Sequence, residues 1–263
     1  VTVLLCNGEP ADATALAALA QINYGHFTAL AVRDGKAQGL DLHLRRLCGA
    51  TRAMFDVELD ESRVRYDLRR ALAAHGAAEA WVRITVFSRA FDFRAPLRQV
   101  PVDLLTSATP WAPPPMAAAR VQPVVFRRHR PELKHVATFP LFDLRRQALA
   151  GGWDDAVFIE PDGRLTEGTT WNLGLWDGEG VTWPSGPALR GTAEQLLRHG
   201  LAQARIAQRD EVVALDELGR YPGAFACNAR GLWPLAAIGK VGFGQIPLDL
   251  LVGILASQPW QPV

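Results

Sequence analysis

Lysine is nearly absent: all but three of the 28 basic residues are arginine, the exceptions being Lys36, Lys134 and Lys240. Any chemistry that needs an amine therefore has three candidates. Cysteine is equally sparse. Cys6, Cys48 and Cys227 are odd in number and far apart with no CxxC spacing, so no zinc site or redox pair is suggested and no metal is expected. A reducing, cytoplasmic setting is the simplest reading. No apolar run approaches the roughly 18 residues of a membrane span, and the N-terminus lacks the basic, apolar, small-residue order of a secretion signal. A soluble protein with no membrane partner is expected. Charge of one sign is missing as well. The formal net charge is +1, and apart from Arg127, Arg128, His129 and Arg130 there is no basic run, so no nucleic-acid face is expected.

What is present is a chain of 263 residues, 49% hydrophobic, enough to bury a core in one large domain or two modest ones. Phe27 to Val32 and Ala37 to Leu40 read as a strand pair around Arg-Asp-Gly-Lys, because Asp-Gly favours the positive φ angles of tight hairpins. Lys36 is then an exposed turn residue. Helical spacing over His43 to Phe55 and Ser62 to His75 predicts two amphipathic helices, followed by β-like runs at Trp81 to Phe87 and Val102 to Leu105. Ala108 to Pro123 carries five prolines, which lack the donors a central strand or helix needs. That stretch reads as an interdomain linker, placed at 113–123 between domains of residues 1–112 and 124–263. Beyond it, helices are expected at Leu141 to Ala150, Thr192 to Arg205 and Leu248 to Leu255, with strands at Ala156 to Ile159, Leu173 to Trp176 and Gly223 to Cys227.

Four segments stand out chemically. Lys134 follows the linker and precedes a helix, where a desolvated amine could act as a nucleophile, although by position alone most such lysines are solvated. Thr166 to Asn172 sets Glu167 among small and hydroxyl residues, and such a loop can present a carboxylate to a ring nitrogen. Leu189 to Ala193 leads into a helix, so the backbone N–H groups of Thr192 and Ala193 could hold a phosphate. Cys227 to Gly231 ends a strand, where the Asn228 amide is a further donor.

Taken in order, these segments resemble the class IV, or fold-type IV, enzymes dependent on pyridoxal 5′-phosphate (PLP): branched-chain aminotransferases, D-amino-acid aminotransferases and aminodeoxychorismate lyases. Gly25-His26-Phe27-Thr28 is similar to the family's Gly-x-Phe-(Glu/Thr), and His43-Leu44-Arg45-Arg46-Leu47 to its His-Leu-x-Arg-Leu. Lys134 matches the lysine that carries the cofactor as a Schiff base. Trp153-Asp154-Asp155-Ala156 resembles the family's entry to a strand, and Glu167-Gly168-Thr169-Thr170-Trp171-Asn172 its Glu-Gly-x-x-x-Asn signature. Gly191-Thr192-Ala193-Glu194 falls where the family has Gly-Ile/Val-Thr-Arg, departing from it at Ala193 and Glu194, and Phe139 replaces a frequent tyrosine.

The resemblance implies an α/β (α+β) fold of two domains, an N-terminal α/β sandwich-like domain and a C-terminal β-barrel-like domain with helices, with PLP in the cleft between them and a homodimeric assembly. It implies that Lys134 is catalytic and binds the cofactor, that Arg46, Gly191, Thr192, Ala193 and Asn228 serve its phosphate, and that Glu167 pairs with its pyridine nitrogen. A carboxylate there keeps the nitrogen protonated, so that the ring accepts electron density. The implied activity is that of an aminotransferase moving an amino group between an amino acid and a 2-keto acid. The alternative is an aminodeoxychorismate lyase releasing pyruvate and 4-aminobenzoate, toward which Thr28, Leu133-Lys134-His135 and Cys227-Asn228-Ala229 tilt. A third reading is a non-catalytic PLP-binding homologue. A small amino substrate bearing a carboxylate calls for a guanidinium, and Arg83, Arg89 and Arg190 are candidates, with Tyr24 and Thr28 nearby in sequence to the first motif.

Overall fold

The computed structural model describes residues 2–114 and 117–263. Pro115 and Met116, within the stretch read as a linker, lie outside the described residues. The chain forms two compact units, one of Val1–Ala112, Leu133–Ala137 and Pro259–Val263, the other of Pro113–Glu132 and Thr138–Gln258.

In the first unit, β1 (Val3–Cys6), β2 (Glu9–Pro10), α1 (Ala13–Gln21), β3 (His26–Arg33), β4 (Lys36–Gln38), α2 (Leu40–Phe55), α3 (Glu61–His75), β5 (Glu79–Phe87) and β6 (Asp103–Pro110) follow one another. The antiparallel sheet runs β2-β1-β6-β5-β3-β4 and ends on the C-terminal strand Trp260–Pro262. The expected hairpin is present, with Asp34 and Gly35 at φ 47° and 68°, the two positive angles that a type I′ turn needs. Alternation along β3 puts Thr28, Leu30 and Val32 on one face, where Leu30 and Val32 share a core with Leu40, Leu44, Leu47, Val64 and Leu68 of α2 and α3. Helix α3 starts at Asp60, whose carboxylate accepts from Ser62 N, and stops at Gly76 in the left-handed region. Leu133–Ala137 joins this unit through its backbone: Phe27 N donates to Lys134 O and Val136 N to Gly25 O, both at 2.9 Å.

The second unit holds β7 (Ala119–Val125), α4 (Phe139–Ala150), β8 (Asp155–Ile159), β9 (Leu165–Gly168), β10 (Asn172–Trp176), β11 (Val181–Pro184), α5 (Thr192–Gln203), β12 (Gln208–Glu211), β13 (Gly223–Asn228), β14 (Gly231–Ile238), β15 (Val241–Gly242) and α6 (Leu248–Ala256). The sheet order is β12-β11-β10-β13-β14-β7-β8-β9, with β15 on β14. The two ends of that order meet, because Leu165 N donates to Val213 O at 2.9 Å and Arg164 bridges Ala214 just beyond β12. The sheet thus curls into the barrel-like form expected, around Val121, Val157, Leu173, Leu175, Ala224, Ala226 and Leu235. On β13 the alternate residues Phe225 and Cys227 pack outward beneath α5 and α6.

Strand β7 starts inside the stretch read as a linker, and it carries Pro123 while lying between β14 and β8. The expectation that proline excludes an inner strand fails for a local reason. Arg120 O faces β8 and Val121 O faces β14, so residue 123 points its nitrogen toward β14, whose pairing stops at Val121. No hydrogen bond is lost there. Among the described residues no helix is long and apolar enough to cross a membrane.

Candidate functional site

In the first unit, Lys134 is half-buried, and its Nζ lies 5.0 Å from the centre of the Phe27 ring. The Arg83 guanidinium stands 3.7 Å from that ring centre. Phe27 pairs with Thr85 and Ala29 with Arg83, so Phe27 and Arg83 are diagonal neighbours on one face of the sheet. Arg83 Nε donates to Thr85 Oγ1 at 3.1 Å, burial lowers its pKa, and among the described residues no carboxylate forms an ion pair with it.

Across β3, facing α2, Thr28 Oγ1 lies 2.6 Å from His43 Nδ1 and accepts from Arg46 Nη2, which is itself 3.3 Å from the same ring nitrogen. Thr28 and His43 are buried. Burial first, then the charges of Arg46 and Lys134, hold the His43 pKa well below its ordinary value. The His-Leu-x-Arg-Leu spacing is legible here as one helical turn that sets His43 and Arg46 against the same threonine.

The other two substrate candidates of this unit make bonds of their own. Tyr24 stacks on Phe91 and donates to Met54 O at 2.7 Å, and Arg89 pairs with Asp103 at 2.9 Å.

In the second unit the Glu-Gly-x-x-x-Asn segment is held from both sides. Asp155 accepts from Thr169 Oγ1 at 2.7 Å and from Trp171 Nε1 at 3.2 Å. The Trp171 indole lies so close across Gly168 that a Cβ there would meet it at 2.0 Å, which accounts for the glycine of the motif. Glu167, expected in a loop, lies near the end of strand β9 instead, buried, with Oε2 accepting from Leu189 N at 3.1 Å. Asn172 completes the hold on the same loop: its amide donates to Leu189 O at 2.6 Å and its oxygen accepts from Gly191 N at 3.2 Å. A Cβ on Gly191 would lie 2.2 Å from that oxygen. The motif therefore fixes the backbone that opens α5.

Gly191 caps α5, and the first helical bond, Gln195 N to Gly191 O, lies beyond Thr192 and Ala193, whose N–H groups belong to the first turn and have no partner within the helix. Asn228 donates to Thr170 O at 3.3 Å and accepts from Arg230 N at 2.8 Å. Arg190 donates to Pro184 O and Gly186 O and pairs with the buried Glu194, which also takes Arg198 at 2.9 Å. Burial raises the Glu194 pKa against the pull of those two arginines. Phe139, at the start of α4, is exposed.

Arg128 does not stand out in the sequence beyond its place in a basic run. Its neighbours Arg127 and Arg130 are exposed and pair with Glu160 and Glu132, whereas Arg128 is buried beside Glu167, Nε to Oε1 3.7 Å, and donates to Pro131 O. Nothing in the run itself marks which arginine turns inward.

Each unit carries groups of the kinds that PLP uses: the first an amine, Lys134, and a guanidinium, Arg46, and the second a buried carboxylate, Glu167, and the helix N-terminal amides of α5. Among the described residues no group of three or more His, Cys, Asp or Glu could hold a metal.

A family model, amino-transferase class IV, matches residues 25–238. No curated protein matches the chain. Among solved structures, it is similar to a protein of Legionella pneumophila assigned as a 4-amino-4-deoxychorismate lyase, with a TM-score of 0.77, 18% identity and 89% and 91% of the two chains covered. It is similar to the branched-chain aminotransferase of the thermophilic archaeon Thermoproteus uzoniensis with norvaline, with a TM-score of 0.83, 15% identity and coverage of 98% and 93%. A hypothetical aminotransferase of Mycobacterium tuberculosis in a PLP-bound form gives 0.80, 17% and 98% of both chains. At these identities the likeness is one of fold.

Proposed function

Because the chain belongs to the class IV aminotransferase family, we propose that it is a PLP-dependent aminotransferase that moves an amino group between an amino acid and a 2-keto acid. The observation that carries this reading is the bond from Leu189 N to the buried Glu167 carboxylate, which ties a partner for a ring nitrogen to the loop that opens an anion-binding helix. When bound, PLP supplies an aldehyde that condenses with amines and a ring that draws electron density from the substrate α-carbon.

The residues then divide the work. Lys134 Nζ would be the amine that holds the cofactor and the base that takes and returns the substrate's α-proton. Glu167 holds a proton at the ring nitrogen. The N–H groups of Thr192 and Ala193, the Asn228 amide and the Arg46 guanidinium donate to phosphate, and Arg83 is the substrate carboxylate's partner. Tyr24, Thr28, Arg89 and Arg190 already serve bonds within the protein and support the scaffold. A homodimer in the cytoplasm belongs to this reading.

A lyase releasing pyruvate and 4-aminobenzoate is the second reading, favoured by Leu133-Lys134-His135, by Cys227-Asn228-Ala229 and by the fold shared with the Legionella protein.

The test is a visible spectrum of the protein mixed with PLP, for wild type and Lys134→Ala, followed by two assays. One offers amino acids with 2-keto acids and follows exchange; the other offers aminodeoxychorismate and follows pyruvate. A lysine-dependent colour with amino exchange is the expected result. Identical spectra for wild type and variant refute the attachment at Lys134, and pyruvate without exchange selects the lyase.

A further inference from the structure

The contacts among Thr28, His43 and Arg46 determine where their protons lie. A guanidinium has five N–H donors and no acceptor. Thr28 Oγ1 therefore receives Arg46 Nη2 on a lone pair, and its single proton is left for its other neighbour, His43 Nδ1, at 2.6 Å. That nitrogen must be bare to accept it. Arg46 Nη2 also stands 3.3 Å from the same nitrogen, where a second N–H would oppose it. The ring is thus neutral and carries its proton on Nε2. Burial of Thr28 and His43 keeps water from offering alternatives, and the depressed His43 pKa agrees.

The anchor formed in this way has no net charge. It orients one edge of the Arg46 guanidinium without cancelling its positive charge, whereas a carboxylate in the place of Thr28 would do both. Orientation matters for a phosphate ligand because a planar fork binds it through paired N–H groups in a set direction.

We propose that Thr28 and His43 are positioning residues, whose hydroxyl-to-imidazole bond holds the Arg46 guanidinium as a charged, oriented donor for the phosphate of the cofactor. The proposal rests on the PLP reading of the site. Thr28 acts through Arg46 and does not touch the substrate.

The experiment compares wild type, Thr28→Val and Thr28→Ser, each titrated with PLP and with pyridoxal, which has the same ring and aldehyde but no phosphate. Ring ¹⁵N shifts of His43 are read in the cofactor-free protein. Valine has nearly the volume of threonine but removes the hydroxyl. The expected result is a PLP affinity lowered roughly tenfold in Thr28→Val, the size of one lost bond to a charged group, with pyridoxal affinity unchanged and recovery in Thr28→Ser. His43 Nδ1 should be unprotonated in wild type and lose its bonded shift in Thr28→Val.

Three outcomes overturn the proposal: PLP affinity of Thr28→Val within about twofold of wild type, equal weakening for PLP and pyridoxal, or a wild-type His43 protonated on Nδ1. A wild type that takes up neither ligand refutes the PLP reading itself, which separates that failure from a failure of Thr28.

Discussion

Arg128 and Glu167 form an ion pair with both side chains less than one-tenth exposed, 8% and 7%, Nε standing 3.7 Å from Oε1. Removing one member of a buried pair leaves the other charge uncompensated, at a cost of about 3–5 kcal/mol. Arg128→Met should therefore unfold at a lower temperature than wild type, with Arg128→Lys between them. A double-mutant cycle with Glu167→Gln should show coupling between the two sites. Purely additive effects would mean that the two charges do not sense each other.

Gly191→Ala should strip the protein of PLP affinity while leaving it folded. The new methyl would sit 2.2 Å from Asn172 Oδ1 and force the loop away from its anchor, a strain of about 1–3 kcal/mol. Shortening the obstructing side chain in Gly191→Ala/Asn172→Ser should restore part of the affinity. Wild-type titration curves for Gly191→Ala would show that the turn tolerates a side chain.

For Arg83 the expected change lies in KM. Arg83→Met should raise KM for amino acids about tenfold or more, the worth of a charge-assisted contact, with a smaller effect on kcat and none on amines that lack a carboxylate. Equal loss for both substrate types would assign Arg83 to scaffolding over Phe27.

His26 predicts an acid-side loss of stability. Its Nε2 donates to Thr51 Oγ1 at 3.0 Å, while the Thr51 proton goes to Leu47 O. Burial and the Arg46 charge push its pKa down from 6.5 to about 3. Above pH 6.5 the folded and unfolded forms are both neutral and the full stability is present. Below it the unfolded chain takes up a proton that the folded chain refuses, so stability falls by about 1.4 kcal/mol per pH unit until the pH nears the folded value. His43 acts in the same sense. His26→Gln keeps a donor for Thr51 but does not titrate. Its unfolding free energy, from denaturant titrations between about pH 6.5 and about 4.5, should fall less steeply than that of wild type. Parallel curves would exclude a neutral His26 as the cause.

Much of the candidate site is legible in the sequence because its parts are local. The Asp34-Gly35 turn, the periodicity of α2 and α3, and the segments around Arg46, Lys134, Glu167, Gly191 and Asn228 each depend on residues a few positions apart. Glu167 stands out in the sequence as a carboxylate of interest but reads there as part of a loop, since Leu165–Gly168 is too short to show a strand's alternation. Pro123 misleads in the opposite direction, because whether a strand needs the donor at one residue depends on where its neighbour ends.

By itself the sequence determined which residues could do amine, carboxylate and phosphate chemistry, and in what order along the chain they come. A scarcity of lysine and a Glu-Gly-x-x-x-Asn run are properties of composition and spacing. Tertiary structure alone decided which arginine of the basic run is buried against Glu167, 39 positions away, and that Thr28 turns from the sheet into α2 to hold Arg46. It also decided that Leu133–Ala137 bonds to β3. Such choices depend on burial and on hydrogen bonds between distant segments, and both exist only once the chain has closed on itself.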